Sequence, residues 1–366
     1  MVILLEPDRP DHAAIVKAVR SAAARFAGVK VKPYEFSGTT HAFTEVHLVG
    51  RTETVPAADF EAIPGVLRVV RVSSKYRIIG RHGEKDSPVG FDANGVRFDD
   101  FHLTVIAGLC AVDTRRNVDA MFSALAKEGL TAARMGAYKP RTSPYDFQGL
   151  GAKCLPTVFE LAGKRGIRLV AMEVTDIRQI DEVHAALKKA GGPTQVLFQV
   201  GTRNAQNFEL LKALGKQKAP VLFKRGMGIT LEESLNACEY IASEGNPNIV
   251  FCLRGVKSHL GDPHRNLVDF AHVPVVRRQT RMPVCVDPSH SVGSMRASPD
   301  GIPDVFHATA QGVISGASSV LVDFHPNPKE ALCDGPQALT LDRLRPFLDY
   351  VGAVRRTYEE LVRIVS

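Results

Sequence analysis

Eight short apolar runs recur in the chain beyond residue 100: "TVIAGLC", "AARMG", "RLVAMEV", "VLFQVG", "PVLFKR", "IVFCLR", "PVCVDPS" and "SVLVDFH". Each is followed by a turn and a helical stretch, at intervals of roughly 20 to 40 residues. Continuous apolar character suits strands buried on both faces, and the intervening helices supply the crossovers that parallel strands require. Eight such units in about 265 residues predict a (β/α)8 TIM barrel over residues 101–366. An open doubly wound sheet is the alternative architecture.

The first eighty residues follow a different rhythm. "VILLEP" reads as a strand, "DHAAIVKAVRSAAARFAG" as an amphipathic helix ended by Gly28, and "VKVKPYEF" and "HAFTEVHLVG" as strands joined through "SGTT". "AADFEAI" adds a short helix and "GVLRVVRV" a closing strand. The order βαββαβ predicts a small ferredoxin-like α+β domain over 1–80. Residues 81–100, "RHGEKDSPVGFDANGVRFDD", are rich in Gly, Asp and charge and read as a linker. The expected fold class is thus α/β, a TIM barrel preceded by a ferredoxin-like unit.

Charge narrows the partners. The formal net charge is +7, but the basic residues are spread along the chain, without a run or an aromatic-interleaved motif. Small anionic substrates fit this pattern better than nucleic acid. No apolar run is long enough to span a bilayer, and "MVILLEPDRPDH" lacks the features of a secretory signal. The six cysteines are scattered without a CxxC pair, which suits free thiols in a reducing compartment. A cytoplasmic location is expected.

In a TIM barrel the strands deliver functional side chains from their C-terminal ends. Here those ends carry Cys110, Arg134, Glu173, Arg203, Lys224, Arg254, then Asp287 with His290, and Asp323 with His325. Exposure to solvent explains one or two polar strand ends, but hardly this set. Between the second and third runs lies "YKPRTSPYDFQGLG", a proline-punctuated loop that brings Lys139, Arg141 and Thr142 together. Arg134, Lys139, Arg203, Lys224 and Arg254 would repel one another without bound anions, so they predict an anion cage. Cys110, His290, Asp323 and Asp334 form a mixed S/N/O set suited to a divalent transition metal. No two of these four share a short motif, and taken singly Cys110 reads as core and His290 as a hydrogen-bonded residue.

The segments "AYKPRTSPYDFQGLG", "GTRNAQNFELLKALGK", "PVLFKRGM", "EGNPNIVFCLRG", "VDPSH" and "HPNPKEALCDGPQAL", in this order, resemble the 3-deoxy-D-arabino-heptulosonate 7-phosphate (DAHP) synthases. The match is best with the branch that carries an N-terminal ferredoxin-like domain. The resemblance implies a transferase that condenses phosphoenolpyruvate (PEP) with erythrose 4-phosphate, the first step of the shikimate pathway to the aromatic amino acids. It also implies a divalent metal (Mn, Fe, Co or Zn), a homo-oligomer and an aromatic amino acid effector bound through residues 1–80. By the same resemblance Arg203, Lys224 and Arg254 hold PEP, helped by Arg134 and Lys139. Arg141 and Thr142 hold the aldose phosphate, and Cys110, His290, Asp323 and Asp334 hold the metal. Lys139 would donate a proton to the new hydroxyl, and Glu173 would position a water.

Several positions depart from the family pattern. Leu109 stands where proline usually precedes the metal thiol, Met135 follows Arg134, and Leu253 precedes Arg254. Asp323 replaces a glutamate, and "VKSHLGDPHRN" is unlike the usual segment after the sixth strand. A related synthase joining PEP to another phosphorylated aldose, and a non-catalytic regulatory relative, are the alternative readings.

Overall fold

A computed structural model describes residues 1–7, 9–37, 42–71, 76–81 and 90–366. The centre of the "SGTT" turn and residues 82–89 of the expected linker lie outside the described residues.

All eight apolar runs are strands of one closed parallel barrel. To reach it the chain first forms β1 (Val2–Leu5), α1 (His12–Ala23), β2 (Val29–Ser37), β3 (Ala42–Gly50), α2 (Ala58–Glu61) and β4 (Val66–Val70). These four strands make a sheet of order β2-β3-β1-β4, with β1 antiparallel to both β3 and β4. The apolar positions of α1, Ile15 and Val19, recur at helical spacing and pack on Ile3, Leu5, Val46, Leu48 and Phe60. Glu45 and His47 are buried and hydrogen-bonded to each other at 2.9 Å. Arg281 forms an ion pair with Glu45 and donates to the carbonyl of Ile78, joining this sheet to the barrel.

Within the stretch read as a linker, residues 90–99 are a hairpin, β5 (Gly90–Ala93) and β6 (Val96–Asp99). Its Phe91, Ala93, Val96 and Phe98 are packed with Ile106, Leu169, Leu197, Leu222 and Leu321 inside the barrel. The hairpin therefore fills the N-terminal mouth. Its alternating "GFDA" and "VRFD" patterns carried the signal, but Gly and Asp density masked it.

The barrel strands are β7 (Thr104–Leu109), β8 (Ala132–Met135), β9 (Leu169–Val174), β10 (Gln195–Val200), β11 (Val221–Lys224), β12 (Ile249–Leu253), β13 (Val284–Val286) and β14 (Ser319–Asp323). Around them lie α3 (Arg115–Lys127), α4 (Leu155–Lys164), α5 (Arg178–Ala190), α6 (Phe208–Gly215), α7 (Leu231–Ser243), α8 (Val273–Gln279), α9 (Pro288–Val292), α10 (Asp304–Ile314) and α11 (Leu344–Val365). Thr230 caps α7 through a reciprocal pair with Glu233, and Thr114 caps α3 by accepting from the Asn117 N–H. Among the described residues no helix is long and apolar enough to cross a membrane.

Barrel register positions the polar residues. Gly108 of β7 pairs with Arg134 on one side and with Asp323 on the other. Residues in one layer on alternate strands face the barrel axis together, so Arg134 and Asp323 meet across the strand between them.

Candidate active site

At the C-terminal mouth the strand ends surround a cavity of about 220 Å³. Its wall includes Lys139, Arg141, Thr142, Glu173, Arg203, Lys224, Arg254, Arg265, His290 and Asp334. Basic side chains outnumber carboxylates here six to three, counting Asp146 with Glu173 and Asp334. Such a wall favours an anion with more than one negative charge.

The cations fall into distinct states. Lys224 Nζ lies 2.5 Å from Asp287 Oδ2, and both side chains are buried. Arg254, only 3% exposed, has neither Nε nor Nη1 hydrogen-bonded within the protein. Burial depresses its pKa. Two buried donors without partners carry a desolvation penalty that a bound carboxylate or phosphate would remove. Arg203 is exposed at the rim and donates to Thr142 Oγ1 at 3.3 Å. Lys139 is buried, with Nζ 3.1 Å from both the sulfur and the carbonyl oxygen of Cys110. Burial alone would lower the Lys139 pKa, but the negative potential of Cys110, Glu173 and Cys333 raises it, which keeps the ammonium charged.

Arg134 departs most from the sequence reading, because it does not line the cavity. It is buried behind the wall, paired with Asp323 and donating to Cys110 Sγ at 3.4 Å. The register that brings it across Gly108 sets its guanidinium beside Asp323 and Cys110, behind the cavity wall. Arg141 also differs in emphasis. Its Nη1 contacts Cys333 Sγ at 2.9 Å while its other nitrogens reach Asp146.

The four residues read as metal ligands are brought together. Cys110 Sγ lies 3.5 Å from His290 Nε2 and 3.0 Å from Asp334 Oδ2, and His290 Nε2 lies 3.8 Å from the same oxygen. His290 uses Nδ1 toward Asp287 at 2.9 Å, which leaves Nε2 free for a metal. Although burial opposes its charge, Asp287 raises the His290 pKa to about 10. Asp334 has φ of +55°, unusual for a residue with a Cβ, and Arg265 holds its Oδ1 at 2.9 Å. Asp323, fully buried, gives one oxygen to Arg134 and the other to Gln337 Nε2 at 2.6 Å.

Glu173 is at the cavity wall, fixed by Gln199 Nε2 at 3.0 Å. Gly201 permits this placement, since a Cβ there would lie 1.9 Å from Glu173 Oε1.

Three contributors were missed in the sequence. Arg265 sits in "VKSHLGDPHRN", noted only as a departure. Cys333 adjoins Asp334, and its position beside a candidate ligand was a usable signal. Gln337 had none, because its role exists only through contact with Asp323.

A profile of the DAHP synthetase I family matches residues 86–360. The chain belongs to that family. It is an enzyme, a transferase of the 3-deoxy-7-phosphoheptulonate synthase class. It is 36% identical over 299 residues to phospho-2-dehydro-3-deoxyheptonate aldolase of Thermotoga maritima, covering 82% of this chain and 83% of the relative. A 2-dehydro-3-deoxyphosphooctonate aldolase of Bradyrhizobium sp. (strain BTAi1) is 29% identical over 278 residues, covering 72% and 90%. The crystal structure of the Thermotoga maritima phospho-2-dehydro-3-deoxyheptonate aldolase (DAHP synthase) superposes with a TM-score of 0.68 at 31% identity, covering 98% of this chain and 97% of that one. A truncated form of the Thermotoga maritima synthase covers 79% of this chain and 98% of its own length, with a TM-score of 0.66.

Proposed function

We propose that this enzyme condenses PEP with erythrose 4-phosphate to give DAHP and inorganic phosphate, with a divalent metal at Cys110, His290 and Asp334. The observation that carries the reading is the buried Arg254 guanidinium with two unpartnered nitrogens in a cavity lined by six basic side chains. Family membership supplies the reaction class.

The donor set fits a metal, because a thiol, an imidazole nitrogen and a carboxylate oxygen lie within 3.0–3.8 Å of one another. When bound, a divalent ion would polarise the acceptor aldehyde as a Lewis acid. Arg254, Lys224 and Arg203 hold the PEP carboxylate and phosphate, which fixes C3 of PEP toward the acceptor carbon. Arg141 and Thr142 hold the phosphate at the far end of the aldose. As the new C–C bond forms, the charged Lys139 Nζ gives a proton to the oxygen that was the aldehyde carbonyl. Glu173 orients a water toward C2 of the former PEP and accepts its proton. The C2–O bond to phosphate then breaks.

Similarity to 2-dehydro-3-deoxyphosphooctonate aldolases supports a second reading, in which the acceptor has five carbons and the product eight. Incubation with PEP, a panel of divalent metals and four- or five-carbon aldose phosphates separates the two by product mass. Absence of PEP loss with every combination would overturn the proposal. Loss only with the five-carbon aldose would favour the second reading.

A further inference from the structure

We propose that Cys333 is the fourth protein ligand of the metal, in the place that a carboxylate at position 323 would otherwise hold. The inference rests on the reading that this site binds a divalent ion, and it concerns which of this chain's residues bind it.

Asp323 is already engaged. Both of its oxygens are taken inside the protein, one by the Arg134 ion pair and the other by Gln337 Nε2 at 2.6 Å. Its approach to His290 is on the wrong edge of the ring. Asp323 Oδ2 lies 3.6 Å from Nδ1, which Asp287 already occupies, whereas the nitrogen left for a metal is Nε2. Drawing Asp323 onto the ion would strip Arg134, itself buried, of its carboxylate partner. Leaving one member of a buried ion pair unmatched is strongly unfavourable.

Cys110, His290 and Asp323 do offer donor atoms within 4.8 Å of one another. Asp323 enters that set with both oxygens already hydrogen-bonded inside the protein, whereas Cys333 is free of such an ion pair. Its sulfur lies 2.8 Å from Asp334 Oδ2, the oxygen that also faces Cys110 Sγ and His290 Nε2. Cys110, Cys333 and Asp334 offer donor atoms that all lie within 4.8 Å of one another. Metal–ligand bonds of about 2.0–2.3 Å at tetrahedral angles separate donor atoms by about 3.3–3.8 Å. The cluster approaches that spacing, and its shorter thiol–carboxylate contacts open by about half an ångström when an ion replaces the shared protons. Two thiolates and a carboxylate around a dication leave one excess negative charge, and Lys139, Arg141 and Arg265 all contact these ligands.

Two consequences follow. A second thiolate favours thiophilic ions such as Zn, Co or Cd over Mn. Arg141, in the loop assigned to the aldose phosphate, touches Cys333 directly at 2.9 Å, so metal loading would order the acceptor subsite.

The test uses the full chain loaded with cobalt(II), whose sulfur-to-metal absorption reports thiolate ligation. The parent should show a two-thiolate band, and Cys333→Ser and Cys110→Ser should each remove about half of it. Cys333→Ser should lower affinity for cadmium at least about tenfold while changing manganese affinity less. Counting sulfur neighbours by X-ray absorption on the zinc-loaded parent gives an answer independent of how any variant folds, with two sulfurs expected. One sulfur, or an unchanged cobalt band in Cys333→Ser, overturns the assignment while leaving the metal reading intact. No metal bound by the parent overturns both.

Discussion

Replacing Arg254 with Met should weaken PEP binding and raise stability together, because the same two atoms are responsible for both. In the protein without substrate, Nε and Nη1 are buried and unpartnered on a side chain only 3% exposed. Each unsatisfied buried donor costs about 1–3 kcal/mol, so the pair costs about 2–6 kcal/mol. Met removes the charge and both donors while retaining an unbranched apolar side chain. Part of the gain is lost to imperfect packing, which leaves an expected stabilisation of about 1–3 kcal/mol. Substrate binding then loses two charge-assisted hydrogen bonds at about 1.5–3 kcal/mol each. At 1.4 kcal/mol per tenfold, that is a fall of about 10²–10⁴ in PEP affinity. Denaturant unfolding without substrate and calorimetric titration with PEP measure the two effects separately. A destabilised variant, or one that binds PEP as tightly as the parent, would refute the argument.

Lys224→Met should behave in the opposite sense on stability. It removes one of the two cationic partners of the fully buried Asp287, leaving His290 Nδ1 at 2.9 Å, and should lower stability by about 1–3 kcal/mol in the same unfolding assay. Gly201→Ala drives a methyl to within 1.9 Å of Glu173 Oε1, so it should lower kcat about 10- to 100-fold with little change in the KM for PEP. Glu173→Gln should reproduce that split in steady-state kinetics. Burial opposes ionisation of Glu45, but Arg281 and His47 bring its pKa down to about 2, below the ordinary glutamate value of 4.5. Its contribution, about 3 kcal/mol, should be full above pH 4.5 and lost as pH falls toward 2. Glu45→Gln should flatten that part of the pH–stability profile. A chain beginning at residue 76 should retain a folded barrel, whereas one beginning at residue 100 loses Phe91 and Phe98 from the barrel mouth and about 3–6 kcal/mol, read from the denaturation midpoint.

The barrel was legible because its signal is local and repeated. Each strand buried on both faces must be a continuous apolar run, and the polar residue ending each run marks the same rim. The N-terminal sheet was legible for the same reason, since helix and strand periodicities alternate within single segments. The hairpin at 90–99 was not, because its two short strands are recognisable only by where Phe91 and Phe98 pack. Cys110, His290 and Asp334 could be grouped from strand ends and family motifs, although the distances among them exist only in the folded chain. Cys333 stood next to Asp334 in the sequence, a usable cue, but its contacts with Asp334 and Arg141 exist only in the folded chain.

The amino-acid sequence by itself determined eight parallel strands, the rim that carries the chemistry and the cationic character of the cavity, since all three depend on residue type and spacing along the chain. Tertiary structure decided which charges are free. Arg134 and Arg254 look alike as strand-end arginines. Register across Gly108 gives the first a carboxylate partner, while the second is buried with two nitrogens that no protein group satisfies. That difference depends on pairing between strands far apart in sequence, and side-chain identity does not encode it locally.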